Sequence, residues 1–165
     1  MPTVELLLDD ELDGLVSGAW ARLAAAGLPG LADHRHPTNR PHLTLATGPA
    51  LPAADRLADA LGGLPVPVRL AGLLSFGAAR GALAWAVVPS RALLDVHAAV
   101  WAALDEPAPW FRPGRWTPHV SLALRMSARE RGAAVELLAG LPDAEGALVA
   151  ARSYDEADRT VRELP

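Results

Sequence analysis

Two histidines head the same three-residue pattern in this chain, His42-Leu43-Thr44 and His119-Val120-Ser121, and each is preceded by proline, Pro41 and Pro118. Side chains on a strand alternate between faces. In each triplet the imidazole and the hydroxyl therefore share one face, while Leu43 or Val120 points to the other. Two imidazoles flanking one small site can divide proton transfer between them: a neutral ring accepts a proton, an imidazolium gives one, and both forms coexist near neutral pH. Thr44 and Ser121 add hydroxyl donors suited to the non-bridging oxygens of a phosphate, where charge builds in the transition state. These are the parts that phosphodiester chemistry needs, with no cofactor and no metal. The other histidines read differently. His97 lies on the apolar stripe of a helix and reads as packed, whereas His34 and His36 fall in a polar loop and read as solvated.

The elements that must position the pair are legible along the chain. Val4 to Leu8 reads as a strand leading into a helix whose stripe is Leu12, Leu15, Val16, Ala19, Trp20, Leu23 and Ala24. Leu31 to Pro41 reads as a loop, His42 to Thr47 as an alternating strand with Leu43 and Leu45 on one face and His42, Thr44 and Ala46 on the other, and about Pro52 to Leu61 as a helix. Val66 to Leu73 and Ala82 to Val88 suit an antiparallel hairpin with a longer loop through Ser75-Phe76-Gly77 and Gly81. Ser90 caps a helix with the stripe Leu93, His97, Val100, Trp101 and Leu104. The second motif strand, His119 to Leu124, has Val120, Leu122 and Leu124 on one face and His119, Ser121 and Ala123 on the other. Ser127 and Glu130 form a capping box for a helix ending near Gly140, and two strands follow, about Gly146 to Arg152 and Arg159 to Leu164. The hairpin and the paired terminal strands argue for α+β with mostly antiparallel sheet.

Composition bounds the function classes. With 165 residues the chain has the size of one domain, and it carries a net charge of -4 with 51% hydrophobic residues. An acidic chain lacks the basic footprint of a duplex-DNA binder, so a nucleic-acid partner should be short or locally held. No apolar run approaches the roughly 20 residues of a membrane span. Cysteine is absent, which excludes disulfides and thiolate metal sites, and the opening residues do not have the pattern of a secretory signal. Cytoplasm and a monomer are the default expectations. A metallohydrolase built on His42, His119 and carboxylates finds no close ligand spacing of the His-Glu-x-x-His kind.

RPHLTLA and WTPHVSLALR resemble the paired motifs of the 2H phosphoesterase superfamily, in its 2'-5' RNA ligase and cyclic phosphodiesterase branch. The resemblance covers most of the chain, with Ser121 where threonine is common. It implies a bilobal, pseudo-symmetric, duplicated α+β fold: two antiparallel β-sheets line a central cleft, helices lie outside, and residues 1–165 form a single domain of two interleaved lobes. It also implies a metal-independent enzyme in which His42 and His119 are the acid/base pair. Such enzymes open 2',3'-cyclic phosphates of RNA ends or small nucleotides to 2'-phosphates, and some form 2'-5' bonds. Arg125 keeps the strand parity of His119 and Ser121 and is a further phosphate-binding candidate. Arg40, Arg115, Trp116 and Phe76 are candidates for base or RNA contacts, since an aromatic ring beside an arginine can stack a base. The alternative is a non-catalytic module that binds RNA ends or a nucleotide in the same cleft.

Overall fold

Local signals start the helices. Asp9 accepts the Leu12 N–H at 2.9 Å, and its second carboxylate oxygen accepts the Ala147 N–H at 2.6 Å, so one side chain both begins a helix and ties it to a late strand. Ser90 caps through the Leu93 N–H, and Ser127 with Glu130 forms the expected reciprocal capping box. The computed structural model describes residues 1–32 and 38–165. Among these residues the chain runs β1 (Pro2–Leu8), α1 (Asp10–Ala25), β2 (His42–Thr47), α2 (Ala54–Leu61), β3 (Val66–Phe76), β4 (Arg80–Val87) and α3 (Arg91–Ala103). A 3-10 turn (Pro109–Phe111), β5 (His119–Ser127), α4 (Ala128–Leu137), β6 (Ala144–Asp155) and β7 (Thr160–Glu163) follow. No helix among them is long and apolar enough to cross a membrane.

The strands are antiparallel throughout and pair in the order β1-β2-β5-β4-β3-β6-β7, with β1 also pairing β6. Where the family resemblance implies two sheets, the pairing joins all the described strands in one. Two seams make it continuous. The motif strands β2 and β5 meet at a single pair, Leu43 opposite Val120. The long β6 pairs with β3 through Ala144–Leu148 and with β1 through Leu148–Asp155, so it belongs to both halves. Helix α1 packs on β5 and β6, and α3 on β2 and β3. Leu43, Leu45, Val120 and Leu122 are fully buried in the core.

Two expectations shift at the β3–β4 hairpin. Phe76 ends strand β3 instead of lying in a long loop, and only Gly77 to Ala79 separate the strands. Gly81 makes this closure possible, because a Cβ there would sit 1.8 Å from the Phe76 carbonyl oxygen. Buried Arg131 then fastens the turn to β5, donating to the carbonyls of Ala78 at 2.6 Å and Met126 at 2.8 Å.

Candidate active site

The two motif strands share a backbone irregularity that strict alternation does not foresee. Along β1 and β2, Val4 faces Ala46 but Glu5 faces Thr44, so Leu45 is an extra residue in β2. Along β4 and β5, Leu83 faces Ala123 but Ala84 faces Ser121, so Leu122 is an extra residue in β5. Each β-bulge thus falls immediately after the hydroxyl residue of its motif, and it reverses the parity of everything beyond. Ala46 and Ala123, expected on the hydrophilic face, are buried instead.

The same two positions share a further support. A bulge interrupts the hydrogen-bond ladder, and a buried carbonyl there needs a donor. The Thr44 carbonyl accepts the indole N–H of Trp116 at 3.0 Å, and the Ser121 carbonyl accepts that of Trp20, also at 3.0 Å. Trp116 comes from the loop before β5, and Trp20 from α1.

Both imidazoles are oriented alike. His42 Nδ1 lies 2.7 Å from the Arg40 carbonyl oxygen, and His119 Nδ1 lies 2.7 Å from that of Thr117. A carbonyl only accepts, so each Nδ1 carries the hydrogen and each Nε2 is left to exchange a proton. Proline at positions 41 and 118 stiffens the two-residue step that brings each carbonyl back to its ring. Counting outward from the Leu43–Val120 bridge in the antiparallel sense sets His42 beside Ser121 and Thr44 beside His119. Each imidazole is therefore neighboured by the hydroxyl of the other motif.

Beyond this shared frame the surroundings differ. His42 stands over a buried ion pair: Arg152 Nε donates to Glu5 Oε2 at 2.8 Å, with the two side chains only 8% and 3% exposed. Glu5 Oε1 accepts the Thr3 hydroxyl at 2.8 Å and lies 3.6 Å from His42 Nε2. Arg152 also donates to the Thr38 carbonyl at 2.8 Å, and its Nη2 rests 3.4 Å from His42 Nδ1, whose hydrogen is already directed at Arg40. His119 has an aromatic neighbour instead, its ring centroid 4.8 Å from that of Phe76 at a tilted angle. A cavity of about 410 Å³ opens beside His42, lined by Ser121, Leu124, Arg125, Arg152 and Tyr154 among others.

The remaining expected contacts fall out unevenly. Arg125 lines the cavity, but not through the parity assumed for it. The bulge at Leu122 turns Leu124 outward, where it is 45% exposed instead of packing with Val120 and Leu122. A second register shift then places Arg125 in a left-handed conformation, φ 59°. Arg40 is held to α1, its Nε donating to Asp13 at 2.8 Å, and its backbone carbonyl is what orients His42. Trp116 is not an open stacking platform: one ring face lies on His97 at 3.9 Å and its N–H is spent on Thr44. Arg115 is exposed on the loop before β5. His97 is packed as expected, and burial pushes its imidazole below the ordinary range although a hydrogen bond to the Phe111 carbonyl opposes this. His34 and His36 lie outside the described residues. Glu5, Arg152, Leu124 and Tyr154 carry no motif, and only the three-dimensional pairing of β1 with β6 and the bulge in β5 bring them to the site.

Comparisons with known proteins bear on the fold and the family. No curated protein matches the chain. A solved structure of Kluyveromyces marxianus Usb1 shares 17% identity, with a TM-score of 0.50 over 99% of this chain and 97% of that one. A second, of the same protein with uridine monophosphate, shares 16% identity, with a TM-score of 0.49 over the same proportions. At such identity the first likeness speaks for the mixed helix and antiparallel-sheet fold alone. The family model for the 2'-5' RNA ligase superfamily matches residues 17–156 and so spans both motif strands, their bulges and β6. The chain accordingly belongs to the 2'-5' RNA ligase superfamily, a branch of the 2H phosphoesterases.

Proposed function

We propose that the protein is a metal-independent phosphodiesterase that opens 2',3'-cyclic phosphates, on RNA ends or small nucleotides, to 2'-phosphates. The observation that carries this reading is the matched orientation of the two imidazoles, each with Nδ1 committed to a carbonyl and Nε2 available. In hydrolysis one Nε2 takes a proton from water as its oxygen bonds to phosphorus. The bond from phosphorus to the ribose 3'-oxygen breaks, and the other imidazolium gives that oxygen a proton. Thr44 and Ser121, each beside the opposite imidazole, donate to the non-bridging oxygens as charge builds there. Arg125 at the cavity rim adds a cation. With the 5'-hydroxyl of a second RNA as nucleophile in place of water, the same steps form a 2'-5' bond.

Matched bulges, indole supports and imidazole tethers on β2 and β5 favour a duplicated, pseudo-symmetric arrangement around a cleft. Because β6 completes both halves, we read residues 1–165 as one working domain. The test is turnover of 2',3'-cyclic nucleotides and of a short RNA with a cyclic phosphate end, in EDTA, with the product isomer resolved by chromatography. Opening to the 2'-phosphate, lost in His42→Ala and His119→Ala, is the expected result. Binding of RNA ends without turnover would turn the reading to a non-catalytic module, and sensitivity to EDTA would remove the metal-free mechanism.

A further inference from the structure

The carbonyls of the two motif hydroxyl residues are held by like indoles, but the indoles themselves are held unlike. Trp20 belongs to α1 and is only 6% exposed, so the core surrounds its ring. Trp116 is half-buried in the loop before β5 and borders a groove of about 330 Å³, lined also by Leu94, His97 and Pro113. The core does not enclose it. We propose that His97 takes over that task, as a positioning residue for Thr44 that acts through Trp116. The inference rests on the phosphodiesterase reading for what the Thr44 hydroxyl does, and on the contacts of His97 for how that hydroxyl is placed.

His97 holds the loop at two points. Its Nε2 lies 2.8 Å from the Phe111 carbonyl oxygen, and because a carbonyl only accepts, Nε2 donates and the plane of the imidazole is fixed. That ring stacks on the Trp116 indole, with centroids 3.9 Å apart and planes 10° from parallel. Between the two points runs a turn. The Arg112 carbonyl accepts the Arg115 N–H at 2.9 Å and the Trp116 N–H at 3.1 Å, across Gly114, whose φ of 83° suits a residue without a side chain. One imidazole therefore steadies both the start of the turn that carries Trp116 and the ring at its end.

The consequence falls on Thr44. An indole has a single donor, and Trp116 directs it at 3.0 Å to the Thr44 carbonyl, which leads into the bulge of β2 at Leu45. A bulge forfeits ladder bonds that would otherwise fix this peptide plane. The indole bond sets the plane instead, and with it the direction of the Thr44 side chain. That hydroxyl meets charge that builds only in the transition state, so misplacing it lowers kcat and spares KM. His97 itself is buried on α3 and does not line the cavity beside His42, so it acts from behind the strand.

The experiment compares His97→Leu, which removes the ring, with His97→Phe, which restores a flat ring without the donor. Kinetics with a 2',3'-cyclic nucleotide and NMR of the full chain are read side by side. His97→Leu is expected to lower kcat by about 10- to 100-fold, the scale of a small misplacement near the chemistry, with KM held, and His97→Phe to recover most of the loss. By NMR, the Trp116 indole N–H should exchange faster in His97→Leu and the Thr44 methyl resonance should move, both returning toward wild type in His97→Phe, while the Trp20 indole is unchanged. In a Thr44→Val background His97→Leu should lower kcat no further, because residues acting through one another are not additive. A merely structural histidine would cost the same in both backgrounds and would not be rescued by phenylalanine, which lacks the same donor. Either of those results, or an unmoved Thr44 methyl in His97→Leu, overturns the inference. If the wild type turns over nothing, the phosphodiesterase reading falls, and the Trp116 and Thr44 resonances still decide the positioning. Should His97→Leu not fold, His97→Gln, which keeps a donor without a ring, takes its place with the same expected losses.

Discussion

The strands β2 and β5 present the same device twice, and their differences separate what the proposed chemistry requires from what a substrate requires. Common to both are the proline before the histidine, the Nδ1 tether of 2.7 Å, the bulge after the hydroxyl residue and the indole bond of 3.0 Å to its carbonyl. These features hold each imidazole by its Nδ1 and leave its Nε2 uncommitted on both strands. Unshared are the buried ion pair and cavity at His42 and the Phe76 ring at His119. The repeated features suit an exchange of protons that is formally symmetric. The unrepeated ones suit a substrate whose two sides are unlike.

The comparison is broken most directly at the histidines. His42→Ala and His119→Ala should each lower turnover by about 10²- to 10⁴-fold while leaving the melting temperature near that of wild type. A large loss in one variant alone would mean that only one strand does chemistry. Glu5→Ala probes the unshared side: it leaves Arg152 buried without its partner, and removal of one member of such a pair costs about 3–5 kcal/mol, measurable by urea unfolding. Phe76→Ala, on the other side, strands no charge and should cost less. The repeated supports come next. Trp20→Phe and Trp116→Phe each leave a motif carbonyl without its donor, a loss of about 1–3 kcal/mol. Comparable destabilisation in the two variants is the expected outcome, and an effect at Trp20 alone would show the symmetry to be superficial.

The smallest effect concerns His97 beneath Trp116. Burial keeps its folded-state imidazole below the ordinary value, so the unfolded chain takes up a proton first as pH falls. This contribution to stability is present above about pH 6.5 and is lost as pH falls from there toward the lower folded value. Melting temperature should therefore drop between about pH 7.5 and 5.5, and His97→Gln should flatten the drop.

Much of the frame was readable from local pattern. The strand His42–Thr47, the Ser127–Glu130 capping box and the packing of His97 came from short-range rules, and they agree with the structure because capping and alternation are decided within a few residues. Three things escaped such rules for physical reasons. A bulge adds one residue to a strand without any mark in composition, so the faces assigned to Ala46, Ala123, Leu124 and Arg125 failed beyond it. Trp116 has the sequence context of a stacking residue, and its commitment to Thr44 depends on a contact 72 residues away. Glu5 and Arg152 are separated by 147 positions, and their pairing is a property of the sheet order. The continuity of the sheet through β6 is of the same kind, invisible until both of its neighbours are known.

That shared strand also sets a timetable. On a ribosome, β1 is made well before its partner stretch of β6, which follows some 147 residues later. At about 5–20 residues per second, the interval is roughly 7–30 s. From its own synthesis onward, each of β1 and β3 keeps an edge that only β6 will cover, the type of open strand that invites pairing with other chains. Both histidines have been synthesised by then, while the arginine beneath the first of them has not. The strand that closes both halves at once leaves the exit tunnel only after both of its neighbours.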